Sequence, residues 1–582
     1  MKTTETAVHS KVRTGRHFAR LAAGYWNNGN NKWKVRGATL MLLSLTLAQV
    51  GLAIWINYWN RDLFNALEDR LLSELARLAG LFVLIFALTM VVTALHLHIK
   101  RWLQLDWRRW MTGLLLDQWL ERSHHYRLQL IAGEHDNPDG RIAEDVKIAT
   151  EVAITLVHSL LFSALILGSF VDILLSVSGS AILPNTSIAV PGYMVLMAFL
   201  YAGLGSGLGL ILGRPLVRAT NYLQTVEANL RFGLAQVREH SEAVALMHGG
   251  QCERRRAERI FAGVGVGWNR QTWAYLGIVA FSTGYGTLLP VFPILIAAPQ
   301  YIAGVMTLGL LMQAAQAFQR LTSALSWPID NLGEIARCRA SIDRIVTFRE
   351  DMERLQREDQ ENGHGENRVE LHRARKAELE IRHLHLDDAT GQPLLSDFNL
   401  TVRHGERILV SGDPSITVAL FKAVAGLWPW GRGEIFLPAG GDIVFAAQHP
   451  YLHAGPLREA LAYPHASAQY EEAALHWALE CAGVGWLRSR LDDREDWARA
   501  LPLRAQQRLG IARIFLQRPQ WVFIEEAADA FDAKDERTSF ELLHRELPNT
   551  ALLNISRHKA RADGFYNRHL ALPAPGHPPS FV

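Results

Sequence analysis

Cysteine is scarce in this chain. Only Cys252, Cys338 and Cys481 occur in 582 residues, widely spaced, so they read as free thiols and supply no metal-ligand pattern. Charge is sparse as well: Asp, Glu, Lys and Arg make up 20% of the residues and the net charge is +3, too small an imbalance to suggest a nucleic-acid partner. No cleavable leader is expected, because Met1 to Arg36 is polar and basic and lacks a short apolar stretch before a small-residue cleavage site. Residues Arg16 to Trp26 fit either an amphipathic helix on a membrane surface or a disordered leader.

What is abundant is apolar. Hydrophobic residues reach 49%, with 17 Trp, and from Thr39 onward they gather in runs of about 20 residues, the length that crosses a bilayer. Six spans are predicted: 39–59, 79–99, 152–175, 192–212, 273–297 and 302–326. Leu103 to Lys147 carries Arg108, Arg109, Arg122, Arg127, Arg141 and Lys147, and Arg214 to Arg259 carries eight arginines. Ser176 to Pro191 and Ala297 to Gly304 carry no Lys or Arg. The positive-inside rule therefore places both termini and the two long basic loops in the cytoplasm. Helical spacing continues past the membrane boundary in Trp107 to Ser123 and Tyr222 to Leu246.

The expected division is a membrane domain over 1–347, a charged linker over 348–375, a soluble α/β domain over 376–572 and a disordered tail over 573–582. In the soluble part, Leu379 to Leu386 and Phe398 to Val402 read as strands around a turn at Thr390 to Pro393. Arg407 to Val410 is a strand leading through Gly412-Asp413-Pro414-Ser415 into a helical run from Val418 to Leu427, the context of a phosphate-binding loop. The residues that would do the binding are missing: Thr417 stands at the Lys position, Val418 at the hydroxyl position and Ile416 at the second glycine. Two more strands end in polar groups, Ile443 to Ala447 before Gln448, and Trp521 to Ile524 before Glu525 and Glu526.

In that order the pieces resemble the ATP-binding domain of ABC transporters, and the resemblance covers nearly the whole chain. Gln448 matches the glutamine-loop residue. Leu501 to Arg508 (LPLRAQQR) matches the signature L-S-G-G-E-Q-Q-R at its first and last three positions. By the same likeness Glu525 corresponds to the Mg²⁺-associated acid, Glu526 to the catalytic base, Asp532 to the dimer-contact loop and His558 to the switch histidine. The string Gly426 to Gly431 (GLWPWG), with Asn57 to Leu67 and Asp136 to Asp145 in the membrane part, is similar to the SbmA/BacA-related branch of half-transporters. That branch carries peptides, cobalamin or bleomycin across bacterial inner membranes.

The resemblance implies a P-loop ABC fold behind six membrane helices, a homodimer or a heterodimer with an intact paralogue, and ATP with Mg²⁺ as ligands. Catalysis would rest on Glu526, His558 and Gln448, and nucleotide contacts on Gly412, Ser415, Thr417, Arg504, Glu525 and Asp532. The chain departs from the pattern where phosphate is touched. Thr417 cannot neutralise phosphate, Val418 cannot bind Mg²⁺, Pro502 lacks hydroxyl and N–H, and Arg504 is bulky where a glycine stands. Weak or absent nucleotide binding and impaired hydrolysis are expected, with an ion gradient as the candidate driving force for transport. An ordinary ATP-driven transporter and a non-transporting regulatory or scaffold subunit are the alternatives. Candidate pathway residues are Gln313, Gln316 and Gln319, which share one face of the last span, together with Gln49, while Asp136 to Asp145 is expected to dock on the nucleotide domain. The topology predicts that a cysteine introduced near Asn185 is labelled from the outer side. Labelling from the cytoplasmic side alone would reverse it.

Overall fold

In the computed structural model the described residues are 17–27, 31–130, 137–178, 180–182, 189–361, 369–373, 378–439, 442–527, 531, 533–556, 565–572 and 580–581. They fall into two compact units, residues 1–120 with 133–351, and residues 121–132 with 352–582.

The first unit is helical. Residues 17–27 form α1, followed by α2 (Lys32–Glu68), α3 (Leu72–Leu120), α4 (Val146–Ser178), α5 (Tyr193–Glu239), α6 (Gly250–Ile302) and α7 (Leu308–Asp330), with α8 (Leu332–Glu361) leading out of the unit. Five helical stretches are long and apolar enough to cross a membrane: those containing α2, α3, α4, α5 and α6. The sixth expected span differs. Its stretch breaks at residues 303–307, where Gly304 takes a φ of 73°, and the helix restarts at Leu308 behind Thr307, whose side chain caps it by accepting from the Leu310 N–H at 3.3 Å. With Gln313, Gln316, Gln319 and Arg320, α7 is less apolar than the others, yet Leu311, Ala314, Ala317, Phe318 and Leu321 are buried in one core with Ile166, Phe170 and Leu174 of α4 and Met194 and Ala198 of α5. Large apolar side chains such as Val83, Phe86, Leu204 and Leu295 stay exposed on the outside of these helices. Such a surface suits lipid and would be a liability in water. The chain is a multi-pass membrane protein.

The alternatives for the N-terminus resolve onto α3. Phe18, Leu21 and Tyr25 of α1 are buried, with the Tyr25 ring 6.1 Å from Trp107 and its hydroxyl donating to Asp106 at 2.8 Å. The apolar stripe of α1 is covered by protein.

The second unit is α/β. The stretch read as a linker is helical as far as Glu361 and includes β1 (Val369–Arg373), because Phe348, Met352 and Leu355 recur on one buried face of a chain that is otherwise charged. Then come β2 (Glu378–Asp387), β3 (Pro393–Arg403), β4 (Arg407–Ser411), α9 (Pro414–Val424), β5 (Gly431–Leu437), β6 (Ile443–Ala446), α10 (Leu457–Ala462), α11 (Glu472–Cys481), α12 (Leu503–Gln517), β7 (Trp521–Glu525), α13 (Ala533–Glu546), β8 (Ala551–Ser556), β9 (Arg568–Ala571) and β10 (Ser580–Phe581). One sheet has the order β10-β9-β4-β8-β7-β6, parallel except for β10; the other has the order β1-β5-β2-β3. Strands β4 and β7 share the parallel sheet but are not neighbours, since β8 lies between them. Their near-continuous apolar runs fit a parallel sheet covered on both faces. One face carries Ile416, Leu420 and Val424 of α9, and the other Leu509, Ala512 and Phe515 of α12.

Phe523 sits at the centre of β7, 1% exposed and stacked on Phe445 at 5.0 Å. Phe523→Ala should destabilise this unit by about 3–5 kcal/mol, read as a lowered unfolding midpoint of the full-length protein in detergent. An unchanged midpoint would mean that the sheet is packed otherwise.

Candidate functional site

The loop between β4 and α9 is built as a phosphate loop is built, strand to turn to helix, but its donors are occupied. Pro414 is the first residue of α9 and has no N–H to offer. Asp413 caps the helix: its carboxylate accepts the Ser415 N–H at 2.9 Å and the Ser415 hydroxyl at 2.5 Å. The next two N–H groups, of Ile416 and Thr417, both donate to the Asp413 carbonyl, at 3.1 and 3.0 Å. A helix N-terminus attracts anions because its first N–H groups are unpaired; here a side-chain anion already holds that position. The two hydrogen bonds from Ser415 keep the Asp413 carboxyl below the usual carboxylate range, so it is charged at neutral pH. The cap's contribution to stability is present above the unfolded carboxylate value of about 4 and is lost as pH falls through the lower folded value.

Thr417 is 2% exposed and its hydroxyl donates to the Pro414 carbonyl at 3.2 Å, so it faces inward rather than into the loop. Ser415 is exposed. Gly412 is required for packing: a Cβ there would lie 2.7 Å from Leu572 Cβ.

Some of the expected residues lie at the same edge of the parallel sheet as this loop. Glu525 ends β7, and Glu526 follows it with a φ of 47°, its N–H donating to Ile555 at 3.1 Å. Glu526 is 6% exposed. Gln448 lies two residues beyond β6. Gln507, which the sequence offered only as one letter of the signature, joins the two: 1% exposed, its amide donates to the Gln448 carbonyl at 3.1 Å and reaches the Glu526 carbonyl at 3.4 Å. Arg504 pairs with Asp535 of α13, which also receives Arg508. Asp532 and His558 lie outside the described residues.

His385, Asp387, Asp388, Trp430 and Arg432 line a cavity of about 500 Å³, with Trp428 donating to the Asp387 carbonyl at 3.0 Å and packed edge-on against Trp430. The signal was present in the tryptophans of GLWPWG.

The loop tip at residues 121–132 groups with the nucleotide unit. Its helix His124–Leu130 buries His124 and Leu128, and Lys422 of α9 lies over the Tyr126 ring at 5.7 Å. In the segment Asp136 to Asp145, the described contacts lie within the membrane unit. Residue 136 lies outside the described residues, and Asp145, 3% exposed, accepts from Arg344 Nε at 2.8 Å and from Arg141 at 3.2 Å within the membrane unit. In the bundle, Gln313 is fully buried, and Asn57 donates to the Gln313 carbonyl at 3.2 Å and to the Gln316 side chain at 2.9 Å. These bonds tie α2 to α7, the expected use of amides between membrane helices. Gln319 and Gln49 are half-buried.

Residues 29–289 match the family described as ABC transporter transmembrane region 2. The chain is 28% identical over 92% of its length, and 94% of the relative's, to the Escherichia coli inner membrane ABC transporter ATP-binding protein YddA. It is 26% identical to the chloroplastic ABC transporter D family member 2 of Arabidopsis thaliana, over 95% of this chain and 85% of that one. With the human lysosomal cobalamin transporter ABCD4 it shares 24% identity over 86% of each chain. Gln507→Leu should strip the donor from two carbonyls and destabilise the nucleotide unit by about 1–3 kcal/mol, with faster amide exchange at Gln448 and Glu526; unchanged exchange there would show that Gln507 does not join them. A helical membrane region followed in the same polypeptide by an α/β region with a parallel sheet makes the chain similar, over nearly its whole length, to ABC transporters.

Proposed function

We propose that two half-transporters, either two copies of this chain or this chain and an intact relative, form an inner-membrane carrier of peptides or comparably bulky solutes, with both termini in the cytoplasm. ATP is bound weakly and hydrolysed negligibly, and transport draws on an ion gradient. The observation that carries this reading is the Asp413 cap on α9, whose carboxylate takes the Ser415 N–H and whose carbonyl takes those of Ile416 and Thr417. The buried Thr417 in place of a Lys adds to it. A dimer follows from composite nucleotide sites, in which the loop of one half faces the signature of the other. Arg504 and Arg508, held on Asp535, support an altered signature face. The bulky cargo is suggested by the likeness to the SbmA/BacA branch and by the cobalamin transporter among the relatives.

Losing one preorganised donor to a developing charge costs about 2.7–4 kcal/mol in a transition state, and here the Lys, the Mg²⁺-binding hydroxyl and the loop N–H groups are affected together. Glu526 keeps its place at the end of β7 and has no held γ-phosphate to act on. The purified protein in liposomes should therefore hydrolyse ATP far below the one per second or so of ordinary transporters, and Glu526→Gln should change nothing. Ordinary rates abolished by Glu526→Gln would overturn the reading.

A further inference from the structure

Two histidines meet inside the membrane unit. His96 of α3 is 5% exposed, and its ring centroid lies 4.2 Å from that of His158 on α4. The Nε2 atoms of both rings are buried and have no hydrogen-bond partner. Both residues fall within the predicted spans 79–99 and 152–175. Buried polar atoms are ordinarily paired, and an ionisable group at membrane depth calls for a role. Two neighbouring orphans of one chemical type, on helices that pack together, form a site that lacks one component.

We propose that His96 and His158 together form a binding site for a single proton, deepening the ion-gradient reading above and resting on it for its use in transport. Imidazole is the side chain that changes charge near neutral pH. Protonation turns one ring into a donor on both nitrogens, and the unprotonated neighbour supplies the acceptor. One proton shared by the pair thus links α3 to α4, and its loss removes the link. A second proton is opposed by the first, so the pair titrates as a unit.

The nearest charges oppose protonation, which limits the pair to a single proton. On α3, Lys100 lies one helical turn from His96, and Arg101 faces Glu151 of α4 at 3.9 Å. On the same seam Gln104 donates to the Glu151 carbonyl at 2.8 Å and to Thr155 at 3.1 Å. From α7, Trp327 donates to Ser159 at 3.0 Å, beside His158, with Asp330 at the end of that helix. Helix α2 carries no ionisable residue between Arg36 and Tyr58, and α5 brings Tyr193 and Tyr201 to the other half of α4. Phe162 flanks His158 with centroids 6.5 Å apart.

The test is histidine-selective NMR of the full-length protein in liposomes, titrated from pH 9 to pH 4, with His96→Gln and His158→Gln to assign the two signals. The expected result is one proton taken up by the pair, both signals moving together, and a displaced midpoint for either ring when its partner is replaced. Lys100→Gln should shift the pair's midpoint upward, a readout that does not depend on either histidine variant folding. Independent titration of two protons, no change in either signal across the range, or an unmoved midpoint in Lys100→Gln would overturn the site. This outcome is separate from the energy source: ordinary ATP hydrolysis would defeat the ion-gradient reading while leaving the titration intact.

Discussion

A carboxylate hydrogen-bonded across the first turn of a helix cannot share that turn with a phosphate. In this protein the capping carboxylate belongs to Asp413, and the functional reading depends on it more than on any missing side chain. Replacing Lys by Thr weakens a site. A fixed negative charge at the start of the helix opposes an incoming anion, which would have to displace two hydrogen bonds from Ser415 and meet a charge of its own sign.

The fold does not depend on the site it once would have served. Ile416, Leu420 and Val424 hold α9 on the parallel sheet through apolar contacts that phosphate never touches. The junction at Gln507 likewise persists, joining the segment after β6 to the segment after β7 through backbone carbonyls. Lys422 of α9 meets the Tyr126 ring within the second unit.

Much of this was legible in the sequence because it rests on periodicity. The long apolar runs gave five of the spans, and the strand runs at Ile408 and Val522 gave two strands of one sheet. Order within the sheet was not legible, since nothing in either run shows that β8 intervenes. The sixth span began late because Gly304 and Thr307, a left-handed residue and a cap, outrank a continuous apolar count. The phosphate loop was readable as lacking its Lys and hydroxyl, but the role of Asp413 needed coordinates: an Asp before Pro is a common cap, and only the bonds to Ser415 show what it closes. The pairing of His96 with His158 lies beyond sequence reading, as 62 residues separate them and only the packing of α3 on α4 brings the rings together.

The most direct measurement is equilibrium binding of Mg-ATP to the full-length protein, compared with a variant carrying Asp413→Gly, Thr417→Lys and Val418→Ser. The account predicts no saturation of the wild type below the millimolar range and a gain in affinity for the variant. Micromolar binding by the wild type would contradict it.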